Sequence, residues 1–174
     1  MNILVTGANG FIGSALCAEL VENNFNVIEI TRHSSIENRP LGNIDGKINW
    51  YQSLENIDCI VHTANIAHEG IKQQKINRLN YQKVNIDGTL NLAKQAISAG
   101  IKRFIYLSSI SVLVSKKNLK KLNEFTEVDE SGLSVYARSK YIAEKKLIEL
   151  TKNSDMDLII IRPPMVYGEK LIGN

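Results

Sequence analysis

The sequence predicts an α/β protein, a doubly wound parallel sheet with helices on both faces. Short apolar runs alternate with longer amphipathic stretches, and the first apolar run leads directly into three glycines spaced three residues apart. The composition supports one sizeable core. Of 174 residues, 44% are hydrophobic and 22% charged, the balance of an ordinary globular domain.

The elements follow in order. Ile3, Leu4 and Val5 suit a strand buried on both faces. Gly7 allows a sharp turn, Gly10 lets the backbone approach a phosphate, and Gly13 lets the next helix press on the sheet. That helix spans 11–22, with Ile12, Leu16 and Leu20 at helical spacing beside Phe11, Ala15 and Ala18. The glycines read G-x-x-G-x-x-G rather than G-x-G-x-x-G, yet strand, glycines and helix together read as a cradle for a dinucleotide pyrophosphate. Strands are expected at 26–30, 47–49 (short), 58–62, 103–107 and 157–161, the last stopped by Pro163 and Pro164. Helices are expected at 79–99, ended by Gly100, and at 134–151. Residues 34–45 and 115–132 are rich in turn formers or charge and lack periodicity.

Bulk properties exclude several functions. A formal charge of +3 is only mildly basic, and the aromatics are not interleaved with Lys and Arg, so nucleic acid is not an expected partner. Cys17 and Cys59 are too few for a disulfide framework or a zinc site and read as core residues. No apolar run is long enough to span a bilayer and the chain enters its first strand at once, so a cytoplasmic protein is expected. His62, inside an apolar strand, reads as a packed, hydrogen-bonded ring. His33 and His68 have no acidic or cysteine partners at ligand spacing, and no metal site is expected. Trp50 and Tyr51 read as cover for the sheet edge.

Tyr136 and Lys140 lie four residues apart on the last helix and so share a face. A cation beside the phenol favours phenolate and is expected to lower the Tyr136 pKa toward the range a general acid/base needs. Tyr106-Leu107-Ser108-Ser109 brings hydroxyls to the C-terminal edge of the sheet, where open α/β folds bind ligands.

Six ordered blocks carry a family resemblance: T-G-A-N-G-F-I-G at 6–13, D-C-I-V-H-T-A at 58–64, N-I-D-G-T-L-N-L-A at 85–93, K-R-F-I-Y-L-S-S at 102–109, Y-A-R-S-K at 136–140 and I-I-I-R-P-P-M-V-Y-G at 159–168. Over essentially its whole length the chain resembles the extended short-chain dehydrogenase/reductase family of NAD(P)-dependent nucleotide-sugar epimerases and dehydratases. The resemblance implies a Rossmann-type cofactor domain over 1–168, with 169–174 starting a C-terminal substrate-binding region. It also implies that Tyr136 is the acid/base, that Lys140 holds the nicotinamide ribose, and that Ser109 orients the substrate hydroxyl or ketone, with Ser108 and Ser111 as nearby substitutes. Gly7, Asn9, Gly10, Phe11, Ile12 and Gly13 match the pyrophosphate loop. Ala64 matches the segment beside the cofactor, and Pro163 the segment near the nicotinamide. The implied partners are a nucleotide-diphosphate sugar and a second copy paired through helices 79–99 and 134–151.

Departures from the family pattern sharpen the expectation. Where an acidic residue would accept the adenosine ribose hydroxyls, this chain has Thr31 and Arg32, which favours NADP over NAD. Ile110 and Ser111 replace the acidic pair that a dehydratase carries, so elimination is disfavoured. The V-Y-G of the family after the serines is Val112-Leu113-Val114 here. Lys116, Lys117, Lys120 and Lys121 then form a basic loop, read as solvated. The expected activity is epimerisation of a sugar hydroxyl or reduction of a 4-keto sugar, at low efficiency in a chain of this length. Alternatives are reduction of a non-sugar carbonyl and a catalytically silent cofactor sensor.

Overall fold

The computed structural model describes residues 1–36, 39–40, 43–67, 78–114 and 122–168. His68, the four lysines of the basic loop and residues 169–174 lie outside the described residues. Five parallel strands form the main sheet: β1 (Asn2–Thr6), β2 (Asn26–Ile30), β5 (Cys59–His62), β6 (Arg103–Leu107) and β7 (Asp157–Ile161), in the spatial order β2-β1-β5-β6-β7. A separate antiparallel pair, β3 (Ser35–Ile36) and β4 (Arg39–Pro40), follows β2. From β1 the chain moves outward to β2, then returns to β5 on the other side. The order therefore reverses between β1 and β5, which leaves a crevice at their C-terminal ends. Thr6 is in register with Ile30 on one side and His62 on the other, and Leu107 with Ile161.

Alternate strand residues feed two cores, as a two-residue period demands. Leu4, Ile60, Phe104 and Tyr106 pack with Leu92, Ala96, Ala143 and Leu147 of α3 (Thr89–Ser98) and α4 (Val135–Thr151). Ile3, Val5 and Cys59 point to the opposite face and pack with Cys17 and Leu16 of α1 (Phe11–Glu22). Both sheet faces are thus covered by helices. Cys17 and Cys59 are buried and free, as core residues.

Two sequence expectations fail for identifiable reasons. Residues 47–49 form no strand: the amides of Asn91 and Gln95 capture the Ile48 carbonyl at 2.7 and 2.8 Å, and Trp50 anchors the loop in the core. Trp50 is thus interior rather than edge cover, whereas Tyr51 is exposed. The helix at 79–99 is interrupted: α2 (Arg78–Tyr81) continues as a π-helix over Gln82–Gly88 before α3 begins. Gln82 donates to Asp87 Oδ1 at 2.8 Å, a five-residue spacing matching π pitch. The Thr89 hydroxyl donates to the Asn85 carbonyl at 2.9 Å at its exit. The other boundaries shift by one residue at most. Ser134 lies outside α4 as its N-cap, its Oγ accepting from Ala137 N–H at 3.1 Å.

Candidate active site

The turn after β1 is built around missing side chains. Gly7 adopts φ +72°, and a Cβ there would stand 2.8 Å from the Ala64 nitrogen. A Cβ on Gly13 would lie 2.1 Å from the Gly7 carbonyl oxygen, so only glycine brings α1 this close to the turn. Gly7 and Ala8 donate to the Ile30 carbonyl at 2.9 and 3.2 Å, which fixes the turn to the end of β2. The first turn of α1, whose N–H groups have no acceptor within the helix, opens on the crevice.

A cleft of about 390 Å³ occupies this position. Gly7, Asn9, Gly10, Phe11, Ile12, Gly13, Thr31, Arg32 and Ala64 all line it. Tyr136, Lys140 and Pro163 do not; Leu107, at the end of β6, is the lining residue on the side of α4. Sequence reasoning missed Thr63, Asn65, Ile66, Val84 and Ile44. The D-C-I-V-H-T-A block was the available signal for the first three, since it ends against the glycine turn. Ile44 had none, because its place depends on the loop held by Asn91 and Gln95. The cleft fits an extended ligand carrying both an anionic group and a hydroxyl: the glycine backbone lines it, Arg32 stands exposed on its wall, and Asn65 Oδ1, a buried acceptor without a partner, can take a hydrogen bond from a ligand donor.

Ser109 and Tyr136 meet at the C-terminal edge of the sheet, and Lys140 lies one helical turn beyond Tyr136 on the same face of α4. The Ser109 side chain hydrogen-bonds the Tyr136 phenol, and Ser109 Oγ also accepts from Ser111 N–H at 3.1 Å. Ser108 and Ser111 are turned inward, each with a buried hydroxyl lacking a partner, so Ser109 is the serine that meets the tyrosine. Lys140 is 1% exposed, donates to the Leu107 carbonyl at 2.7 Å and sits 4.7 Å from the Tyr106 ring centroid. Beneath Tyr136, Ser139 Oγ donates to the Tyr136 carbonyl at 2.7 Å and accepts from Asn85 Nδ2 at 3.0 Å. Asn85 also exchanges hydrogen bonds with the Ile66 backbone at 2.8 and 3.0 Å, joining the cleft wall to α4.

Electrostatics here depart from the sequence expectation. The Tyr136 pKa is raised rather than lowered: burial dominates, the Ser109 hydrogen bond opposes it, and Tyr81 adds to the rise. Lys140 instead titrates low, at about 7, because burial outweighs the support of Glu144. His62 is a packed ring, as its strand position implied. Its Nδ1 meets the Thr6 hydroxyl at 2.7 Å and its Nε2 the Thr89 hydroxyl at 2.9 Å. Among the described residues no group of three or more His, Cys, Asp or Glu is gathered as a metal site would need, and no helix is long and apolar enough to cross a membrane.

Comparison with known proteins bears on the fold and the family. The sequence pattern described as the NAD dependent epimerase/dehydratase family matches residues 3–174. A UDP-glucose 4-epimerase of Vibrio cholerae is 36% identical over 178 residues, covering 99% of this chain and 54% of its own length. A putative dihydroflavonol 4-reductase of Synechocystis is 28% identical over 172 residues, covering 94% of this chain and 49% of its own. The UDP-glucuronic acid 4-epimerase of Bacillus cereus in complex with NAD superposes with a TM-score of 0.81 at 26% identity, covering 98% of this chain and 59% of that one. The same enzyme with UDP-glucuronic acid and NAD gives a TM-score of 0.76 at 25% identity, covering 93% and 56%. The chain spans about half the length of the relatives it matches.

Proposed function

The chain belongs to the NAD-dependent epimerase/dehydratase family, and from that premise we propose that residues 1–168 are the cofactor domain of an enzyme performing hydride chemistry on a nucleotide-diphosphate sugar. The activity proposed is 4-epimerisation of a hydroxyl or reduction of a 4-keto sugar, in the cytoplasm. The observation that carries it is the contact of Ser109 with Tyr136 at the rim of the sheet, with Lys140 one helical turn further along the same face.

Gly7, Asn9, Gly10 and the first turn of α1 would hold the pyrophosphate, and Lys140 the nicotinamide ribose. Bound there, a nicotinamide supplies hydride exchange with a carbinol or ketone carbon. The protein supplies the proton. Burial keeps the Tyr136 phenol protonated at neutral pH, the state that gives a proton to a ketone oxygen as that carbon is reduced. In the reverse direction the phenolate is favoured by the Ser109 hydroxyl and by a charged Lys140. Ser109 holds the same substrate oxygen in line with Tyr136. In the full-length protein, Tyr136→Phe is expected to lower kcat by about 10²- to 10⁴-fold with cofactor affinity unchanged. Intact turnover in that variant would remove Tyr136 from the acid/base role, whereas a full-length protein that binds cofactor without any turnover would leave a cofactor sensor as the better description.

Arg32 on the cleft wall supports NADP as the preferred form, because a guanidinium pairs with a 2′-phosphate that NAD lacks. Fluorescence titration is expected to give tighter binding of NADPH than NADH, with the difference lost in Arg32→Ala. Tighter NADH binding by the unaltered protein removes Arg32 from this role. With a UDP-4-keto-6-deoxy sugar, a reductase consumes NADPH stoichiometrically and an epimerase does not. A second reading, reduction of a non-sugar carbonyl, draws on the similarity to the putative dihydroflavonol reductase, and screening aromatic ketones beside UDP-sugars separates the two. Pairing of two copies through helices 79–99 and 134–151 is also proposed. A solely monomeric full-length protein in sedimentation would refute it.

A further inference from the structure

Lys140 is almost wholly withdrawn from water, and an ammonium so placed needs compensation. The Leu107 carbonyl and the Tyr106 ring provide dipoles. Glu144 provides the opposing charge. Glu144 follows Lys140 by one helical turn, as Lys140 follows Tyr136, so all three lie along one face of α4. It too is 1% exposed. Both its oxygens are taken by one guanidinium: Arg162 Nε donates to Oε1 at 3.1 Å and Nη2 to Oε2 at 2.7 Å, a fork that fixes the carboxylate's direction.

Arg162 is equally well placed. It follows β7 and precedes Pro163, whose carbonyl accepts from Ile110 N–H at 2.9 Å next to Ser109. Its Nη1 donates to the Glu124 carbonyl at 3.4 Å. A single ion pair therefore joins α4, the segment after β7 and the segment around Glu124.

We infer that Glu144, gripped by Arg162, is a positioning residue whose negative charge, one helical turn from Lys140, keeps the Lys140 ammonium seated under the Leu107 carbonyl, while the same pair fastens the chain after β7 to α4. The inference rests on the proposed function for the part Lys140 plays in the reaction. The groups facing Lys140 are His62 on β5, Tyr106 on β6 and Glu144 on α4, with Arg162 behind Glu144 and Tyr136 one turn earlier on α4. Burial holds His62 neutral down to about pH 3 and raises both tyrosines, so near neutral pH the charges acting on Lys140 within this set are those of Glu144 and Arg162.

The test is an NMR titration of the Lys140 side chain in full-length, isotope-labelled protein, its signal assigned by loss in Lys140→Arg. Glu144→Gln is expected to lower the Lys140 midpoint by about one pH unit or more, the effect of losing a close opposite charge. Glu144→Asp, which retains the charge, should restore most of it. If Glu144→Gln fails to fold, Glu144→Gln with Arg162→Gln removes no net charge and should still lower the midpoint. A midpoint that stays at the unaltered protein's value in these variants overturns the inference, since a merely structural ion pair would leave it there. Failure of the proposed reaction is seen separately: retained turnover in Lys140→Met removes the purpose assigned to Glu144, whereas lost turnover there with an unmoved Glu144→Gln midpoint overturns the positioning role alone.

Discussion

Protonation of His62 is a change this interior resists, since both ring nitrogens already meet threonine hydroxyls and burial lowers its pKa to about 3. Unfolded histidine binds a proton near pH 6.5. Between those values the unfolded chain holds more protons than the folded one, so stability is expected to fall as pH drops from about 6.5 toward 3. Across that window the loss is on the order of a few kcal/mol, measurable by urea unfolding at several pH values. His62→Gln should flatten the dependence while lowering stability at neutral pH. The packed state of His62 was legible from its apolar strand, and the shared helical face of Tyr136 and Lys140 from their four-residue spacing. The direction of the Tyr136 shift was not. Spacing shows that a cation stands one turn away, but the degree of burial, which decides the sign here, is a property of the assembled fold.

Among the elements, the turn from β1 into α1 was the most readable, because glycines required for close approach leave a local signature. Gly13→Ala places a methyl group 2.1 Å from the Gly7 oxygen, far inside contact distance. The expected loss is about 3 kcal/mol or more of stability, with cofactor binding weakened, read by thermal unfolding and fluorescence titration. The 47–49 loop and the π-helix were illegible for a common reason. In both, side-chain amides replace or redirect backbone pairing: Asn91 and Gln95 hold Ile48, and Gln82 meets Asp87. Hydrophobic periodicity carries no record of such contacts. Gly88 at the end of the π-helix seats the cleft residue Ile44, whose Cγ2 would be 2.7 Å from an added Cβ. Gly88→Ala is therefore expected to weaken cofactor binding by about fivefold, or ~1 kcal/mol, from outside the cleft.

Taken whole, the molecule presents a cleft at the C-terminal edge of its sheet and a set of exposed apolar side chains. Phe125, Met165 and Tyr167 stand exposed on two segments that Arg162 brings together through Glu124. Exposed aromatic and Met side chains gathered in this way favour association. The 174-residue chain is expected to self-associate with rising concentration in sedimentation velocity, and Met165→Ser with Tyr167→Ser to suppress it. The fold class, strand sequence and glycine cradle were readable because they repeat local rules. The substrate was not, because in the proposed mechanism Ser109, Tyr136 and Lys140 address only a hydroxyl and its carbon, common to every substrate such a site could take.

The π-helix sets a constraint on chain length that substitutions do not reveal. Deleting one residue within Gln82–Gly88 would return the segment to ordinary α pitch and remove the widened turn on which Asn85 sits. Asn85 or its replacement would then swing away from Ser139 and Ile66, parting the crevice from the helix that holds Tyr136. In a fold whose surface loops can lengthen and shorten freely, this single turn is where a lost codon should be hardest to survive.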